Sequence, residues 1–164
     1  MIELLVLDVD GCLTNGKITY DSNLTETKSF SVKDGLAIAT WIKMGKKVAI
    51  ITGRKSTIVQ KRADELKINY LFQGIKDKLS TLDKLLQELN LNYNNIAAIG
   101  DDLNDYHMLK KAGLSFTPND GVDDIQNIVD TTLSKKGGDG AVREMIEIIL
   151  EKENIKDRFL QQWL

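Results

Sequence analysis

Residues 4–14 read LLVLDVDGCLT, and this stretch decides the fold. Its apolar run, residues 4–9, shows no regular apolar–polar alternation, which predicts a strand buried on both faces of a parallel sheet. Asp8 and Asp10 lie at the end of this strand, and Gly11 allows the chain to turn sharply after them. Ligands bind at the carboxyl ends of the strands in open parallel sheets. The stretch therefore predicts a core strand with an acidic site at its end.

Four similar apolar runs follow, separated by segments of helical periodicity. The predicted strands are residues 48–51, 70–72, 96–99 and 114–116. The predicted helices are residues 36–44, which end at Gly45, residues 58–66, and an amphipathic segment carrying Leu79, Leu82, Leu86 and Leu89. This alternation predicts an α/β fold, a doubly wound parallel sheet with helices on both faces.

The segment between the first strand and the first helix breaks the alternation. Ile18 and Tyr20 alternate with polar residues, Asp21-Ser22-Asn23 has turn chemistry, and a second alternating stretch runs to Val32. This pattern predicts a projecting β-hairpin over about residues 15–33. No repeat or linker divides the chain, so residues 1–164 are predicted to form one domain, with an apolar tail at about 154–164.

The composition excludes several classes of protein. The chain has 164 residues, 42% hydrophobic and 28% charged, as in soluble globular domains. A net charge of −2 argues against nucleic acid as the main partner. No apolar run reaches the ~18–20 residues of a membrane span, and no signal peptide is recognisable. One cysteine, Cys12, excludes an internal disulfide and a cysteine-rich zinc site. We therefore expect a cytoplasmic protein without membrane contact.

A second acidic cluster, GDDLND at residues 100–105, directly follows the predicted strand 96–99. Either cluster alone also fits a solvated turn or the acidic start of a helix. Carboxylates from two strand ends that meet at one sheet edge repel each other, and a divalent cation is the usual compensation. Oxygen ligands select Mg²⁺ over zinc. Together the two clusters favour a magnesium site.

Two weaker signals lie at neighbouring strand ends. Thr52-Gly53-Arg54 follows the strand 48–51, where a hydroxyl, a backbone N–H and a helix N-terminus can bind phosphate. Lys78 lies just before a predicted helix, where a solvated lysine would be ordinary. No glycine-rich nucleotide-binding loop is present.

The order Asp8-x-Asp10, Thr52, Lys78 and then GDDLND resembles the haloacid dehalogenase (HAD) superfamily of phosphohydrolases. Within it, the chain resembles the 3-deoxy-D-manno-octulosonate 8-phosphate (KDO 8-phosphate) phosphatases, through ITGR at 51–54, YLFQGIKDKL at 70–79, GDDLND at 100–105 and GGDGAVRE at 137–144. The resemblance implies a Rossmann-like core and a Mg²⁺-dependent phosphatase that supplies lipopolysaccharide precursor synthesis.

The resemblance also assigns roles to the acids. Asp8 would be the nucleophile that forms an aspartyl-phosphate. Asp10 would protonate the leaving sugar oxygen and then deprotonate the attacking water. Asp8, Asp101 and the backbone carbonyl of Asp10 would bind Mg²⁺. Asp102 and Asp105 would orient these ligands or Lys78.

The phosphoryl group would be held by residues from three different strand ends. Thr52 and Lys78 would contact its oxygens, together with the backbone N–H groups of Gly11 and Gly53. Lys78 would offset the charge that builds up when a carboxylate approaches a phosphate.

Three arginines are candidates for substrate binding. Arg54 can bind a carboxylate through paired hydrogen bonds, and Arg62 and Arg143 are further candidates, although a surface helix position would equally explain Arg62. Related phosphatases for nine-carbon 2-keto sugar acids carry Glu in place of Arg54 and Lys near Glu65. Arg54 therefore favours the eight-carbon substrate, whereas Glu65 matches neither pattern.

Neither the hairpin nor residues 54–78 leave room for a cap domain over the site. A site without a cap needs cover from elsewhere to exclude water. The resemblance implies a homotetramer whose hairpins assemble and cover neighbouring sites. Two other functions remain open: a phosphatase for a nine-carbon sugar acid phosphate, and a catalytically silent HAD scaffold, against which the intact motifs argue.

Overall fold

The computed structural model describes residues 1–164, which form a six-stranded parallel sheet and a separate two-stranded hairpin. The strands are β1 (Leu4–Leu7), β2 (Thr19–Tyr20), β3 (Glu26–Thr27), β4 (Lys47–Ile51), β5 (Tyr70–Phe72), β6 (Ile96–Ile99), β7 (Leu114–Thr117) and β8 (Thr131–Thr132). The helices are α1 (Val32–Lys43), α2 (Thr57–Leu66), α3 (Lys78–Leu89), α4 (Tyr106–Lys111), α5 (Asp123–Gln126), α6 (Ala141–Lys152) and α7 (Lys156–Leu160).

The sheet has the order β5-β4-β1-β6-β7-β8, with every neighbouring pair parallel. Strand β1 lies between β4 and β6, so the chain passes to one side of β1 first and to the other side later. Ligands bind at such a switch point in open α/β sheets. The predicted doubly wound sheet without a cap domain is confirmed.

Helices cover both faces of the sheet because the strand side chains alternate between two apolar cores. Leu5 and Leu7 face one core, to which α1, α2, α6 and α7 contribute. Leu4 and Val6 face the other, which contains residues of α3, α4 and α5. The uninterrupted apolar run at the start of the chain thus fills both layers.

The hairpin is shorter than the sequence pattern predicts. Its turn forms as expected, because Asp21 Oδ1 accepts hydrogen bonds from the backbone N–H groups of Asn23 and Thr25. The second strand, however, ends at Thr27, and α1 already begins at Val32. Ser31 caps this helix by accepting a hydrogen bond from Asp34 N, which stops the extended segment before residue 33.

The C-terminal segment packs on its own chain, at the end of α1. Phe159 is buried in the larger core, Arg158 donates to the carbonyl of Met44, and Trp163 Nε1 donates to Thr40 Oγ1. Met44 lies three residues before β4, so these contacts lie at the amino ends of the strands, opposite to their carboxyl ends. None of the helices combines the length and the apolar character needed to cross a lipid bilayer.

Candidate active site

Three parallel strands deliver the motif residues to one cavity of about 320 Å³. Asp8 follows β1, Thr52 follows β4 and Asp101 lies just beyond β6. The cavity is lined by these three residues and by Asp10, Gly16, Ile18, Gly53, Arg54, Asp102 and Asn104. Most of the residues predicted from the sequence are therefore brought together.

Lys78 lies between the two acidic clusters and forms an ion pair with each. Its amino group lies 2.7 Å from Asp8 Oδ1 and 2.6 Å from Asp105 Oδ1, and its side chain is only 1% exposed. Asp77 fixes its position by capping α3 through a hydrogen bond from Ser80 N. Burial opposes the charged form of Lys78, but attraction by Asp8 and Asp105 outweighs it and raises the pKa of the lysine. Lys78 is thus a buried cation and not a solvated surface residue.

Asp105 stabilises the second acidic loop through hydrogen bonds to its backbone. It is fully buried, and its Oδ2 accepts hydrogen bonds from the backbone N–H groups of Asp101 and Asp102 at 3.1 and 3.5 Å. Asp102 caps the turn that follows by accepting a bond from Leu103 N at 2.7 Å. Asp105 therefore contacts both Lys78 and the backbone of Asp101, whereas Asp102 caps the turn that follows.

The acids of the two loops are close enough to share one cation. Ligand atoms of Asp8, Cys12 and Asp101 all lie within 4.8 Å of one another. Gly11 makes this approach possible, because a Cβ at its position would lie 1.9 Å from Asp101 Oδ2. Burial and then the charge of Asp8 raise the pKa of the Cys12 thiol, so it stays protonated and is a weak ligand. The effective donors are carboxylate oxygens, which fit Mg²⁺.

The charges of these acids are poorly compensated by protein groups alone. Burial and then the charge of Asp105 raise the pKa of Asp8 to about 7, against the attraction of Lys78. Burial and then the charge of Asp8 raise the pKa of Asp101 to about 8. A dication between them would favour both ionised forms. The electrostatics therefore fit a metal site.

The predicted phosphate-binding groups occupy different positions around the cavity. Thr52 is 1% exposed, and Gly53 lies beside it on the cavity wall. The N–H of Gly11 donates to Thr14 Oγ1 at 3.3 Å, so it already has a partner within its own loop. Arg54 is 47% exposed at the rim, and its Nη2 lies 3.3 Å from Glu26 Oε2 of the hairpin.

The other two arginines lie outside this cavity. Arg62 donates to the carbonyl of Ser31 at 3.3 Å, and its guanidinium lies over the ring of Phe30. Arg143 Nε lies 2.6 Å from Glu147 Oε1, and its guanidinium lies over the ring of Phe159. Within one chain, Arg62 and Arg143 therefore pack helices and do not line the cavity that contains Asp8.

Sequence reasoning missed two features of the site. Lys28 of the hairpin lies 2.5 Å from Asp10 Oδ1, a contact that the spacing of Glu26 and Lys28 on one strand face could have suggested. The other is the support of the first acidic loop by residues 137–138. A Cβ at Gly137 would lie 1.8 Å from the carbonyl oxygen of Gly11, and Gly138 N donates to the carbonyl of Cys12.

Comparison with known sequences reveals relatives along most of the chain. The family model of the haloacid dehalogenase-like hydrolases matches residues 72–146. The 3-deoxy-D-manno-octulosonate 8-phosphate phosphatase KdsC of Escherichia coli K12 is 40% identical over 149 residues, which are 91% of this chain and 79% of KdsC. The KdsC of Haemophilus influenzae is 37% identical over 152 residues, 93% of this chain and 84% of the relative.

Solved structures show the same architecture. The 3-deoxy-D-manno-octulosonate 8-phosphate phosphatase of Moraxella catarrhalis, in complex with magnesium, phosphate and KDO, superimposes with a TM-score of 0.95 at 41% identity and covers 99% of this chain and 94% of its own. The cobalt-bound phosphatase of Haemophilus influenzae gives a TM-score of 0.88 at 37% identity, covering 93% of this chain and 90% of its own.

Proposed function

The chain belongs to the KDO 8-phosphate phosphatases of the haloacid dehalogenase-like hydrolases, and we propose that it hydrolyses KDO 8-phosphate to KDO and phosphate with Mg²⁺ as cofactor. The observation that carries this proposal is the convergence of Asp8 and Asp101 within 4.8 Å, with the amino group of Lys78 at 2.7 Å from Asp8 Oδ1. This arrangement provides a nucleophile and a cation site at the cavity, with a buried ammonium group that compensates part of their negative charge.

The proposed reaction proceeds through an aspartyl-phosphate on Asp8. A carboxylate oxygen of Asp8 forms a bond to phosphorus while the bond between phosphorus and the sugar oxygen breaks, and Asp10 donates its proton to that oxygen. Asp10 then takes a proton from a water molecule, whose oxygen attacks phosphorus and releases phosphate from Asp8. Mg²⁺ held by Asp8, Asp101 and the backbone carbonyl of Asp10 would supply charge neutralisation as the two anions approach.

Two cations and a hydroxyl group of this chain would act on the reacting groups beside the metal. Lys78 lies within hydrogen-bond distance of Asp8 and compensates the negative charge of this nucleophile. Thr52 offers a hydroxyl to the phosphoryl oxygens from the cavity wall. Arg54, at the rim, would bind the sugar carboxylate by paired hydrogen bonds. Gly11, Gly53, Arg62 and Arg143 stay predictions as substrate contacts.

Two other functions are weaker on physical grounds. A nine-carbon sugar acid phosphate would use the same chemistry, and the presence of Arg54 at the rim favours the eight-carbon acid. A silent scaffold would have no use for the buried Asp8, Asp105 and Lys78, because taking charged groups out of water costs several kcal/mol per ion.

We propose a homotetramer in which the hairpin of one copy covers the cavity of another. The cavity is open, and no cap domain closes it. The hairpin exposes apolar side chains, with Ile18, Tyr20 and Leu24 at 38%, 57% and 82% exposure. Such a surface favours contact with a second copy. We further propose a cytoplasmic role in lipopolysaccharide precursor synthesis, which suits a chain with one free thiol.

The decisive experiment measures phosphate release from KDO 8-phosphate and from a nine-carbon 2-keto sugar acid phosphate, with and without Mg²⁺. We expect Mg²⁺-dependent turnover with a higher kcat/KM for KDO 8-phosphate. A higher kcat/KM for the nine-carbon compound would replace the proposed substrate. No Mg²⁺-dependent release from either compound would favour the silent scaffold.

A further inference from the structure

The carboxylate of Asp10 is held by a lysine that the sequence motifs do not include. Lys28 follows β3, and its amino group lies 2.5 Å from Asp10 Oδ1 and 3.0 Å from Glu26 Oε1. The side chain of Lys28 is 1% exposed, whereas that of Asp10 is 20% exposed. Lys28 is the one side chain that hydrogen-bonds to this carboxylate. The orientation of Asp10 therefore depends on the hairpin.

The contact belongs to a row of alternating charges along the rim of the cavity. Asp10, Lys28, Glu26 and Arg54 follow one another, and the last pair is separated by 3.3 Å. Asp10 and Arg54 both line the cavity that contains Asp8. The row thus joins the proposed proton donor to the residue proposed to bind the sugar acid.

A purely structural explanation does not account for the charged character of this contact. Burying an ammonium group is costly, and well-packed apolar residues often hold a segment equally well. The hairpin has strands of only two residues each, and its apolar side chains at Ile18 and Tyr20 are exposed. The buried ammonium group of Lys28 instead forms an ion pair with Asp10 at the cavity.

We propose that Lys28 is a positioning residue, which holds Oδ1 of Asp10 and leaves Oδ2 for proton transfer to the leaving oxygen. The inference rests on the proposed function, in which Asp10 gives its proton to the sugar oxygen as the phosphoryl group moves to Asp8. Proton transfer requires the donor within hydrogen-bond reach of the reacting oxygen. A freely rotating carboxylate would meet this requirement only part of the time.

The test compares two leaving groups in single-turnover experiments that follow release of the alcohol. KDO requires a proton to leave, whereas the nitrophenolate of p-nitrophenyl phosphate leaves without one. We expect Lys28→Met to lower the rate of KDO release about 10- to 100-fold, with little change in KM. Release of nitrophenolate should change by less than about 3-fold, because this step does not use the proton of Asp10.

A double-mutant cycle isolates the contact. In the Asp10→Asn background, Lys28→Met should have no further effect on KDO release, since the group that Lys28 positions no longer donates a proton. Lys28→Arg, which keeps the charge, should restore part of the rate. Lys17→Met is the matched control, because it removes an exposed lysine of the same segment and should behave as wild type.

The proposal is wrong if Lys28→Met slows both leaving groups equally, or if it costs as much in the Asp10→Asn background as in the wild type. Lys28→Gln provides the same comparison should the methionine variant fail to fold. Failure of the proposed function would look different, since the wild type itself would then release no KDO from KDO 8-phosphate in the presence of Mg²⁺.

Discussion

Lys78 compensates part of the negative charge of the acids at the cavity. Asp8 and Asp105 are both buried, and Lys78 lies between them at hydrogen-bond distance from each. Its one positive charge compensates two carboxylates only in part, and Asp101 adds a third. The remaining negative charge explains why the site fits a divalent cation.

At this scale, Asp8→Asn should abolish phosphate release, because an amide cannot form the aspartyl-phosphate. The fold should persist, since Asn retains a carbonyl oxygen that can accept the hydrogen bond of Lys78. Turnover assays and circular dichroism check both parts. Asp124→Asn, at an exposed position, serves as the control. Retained phosphatase activity in Asp8→Asn would contradict the assignment of the nucleophile.

The affinity for Mg²⁺ should rise with pH up to about 8. Without metal, the pKa of Asp8 is raised to about 7 and that of Asp101 to about 8, so both carry protons over part of this range. Mg²⁺ binds the ionised forms, and binding at pH 6 must therefore release protons. Calorimetric titrations in buffers of different ionisation enthalpy measure this release. An affinity independent of pH between 6 and 8 would contradict the assignment of these ligands.

The loop 135–140 is the element that holds the first acidic loop in place. Gly137 packs against the backbone of Gly11, and Gly138 N–H donates to Cys12. Gly137→Ala should therefore displace the Asp8–Asp10 segment and lower both Mg²⁺ affinity and kcat by about 10-fold or more. Lys136→Ala is the control, because Lys136 is an exposed residue of the same loop. Unchanged activity of Gly137→Ala would show that this support is dispensable.

A buried acid between α1 and α6 links helix packing to pH. Asp34 is 1% exposed and accepts a hydrogen bond from Arg143 N at 2.8 Å, and burial raises its pKa to about 6. Because this value lies above that of the unfolded chain, the folded state binds more protons, and the free energy of unfolding falls as pH rises from about 4 to about 6.

The variant Asp34→Asn should remove this contribution while keeping the acceptor for Arg143 N. We expect its free energy of unfolding to exceed that of the wild type by about 3 kcal/mol at pH 7 and to differ little at pH 4. Urea unfolding at the two pH values measures the difference. A stability gap that does not depend on pH would contradict the raised pKa of Asp34.

On the scale of the whole molecule, the proposed assembly would close the open cavity with the projecting hairpin of a second copy. We expect light scattering at micromolar concentration to give the mass of a tetramer. Tyr20→Lys should weaken the assembly and lower kcat/KM together, because an apolar contact is replaced by charges that repel between copies. Leu164→Lys, at the exposed chain end, is the control. A monomer in the wild type would contradict the proposed assembly.

Local sequence patterns predict much of the fold and the position of the motif residues. Apolar runs of strand length with intervening helical periodicity determined the parallel sheet, because burial on both faces needs residues such as Leu4 and Leu5 in succession. The motif order determined which strand ends carry Asp8, Thr52 and Asp101. These features depend on neighbours along the chain, which a sequence displays directly.

Contacts across the fold were decided by the tertiary structure alone. The burial of Lys78 depends on β1 lying between β4 and β6, and the contact of Lys28 with Asp10 depends on where the hairpin folds back. The same holds for Arg62 and Arg143, which pack helices within one chain. Desolvation and distance determine whether a charged side chain faces solvent, forms an ion pair or contacts the substrate. Both depend on segments that are remote in sequence and meet only in the folded chain.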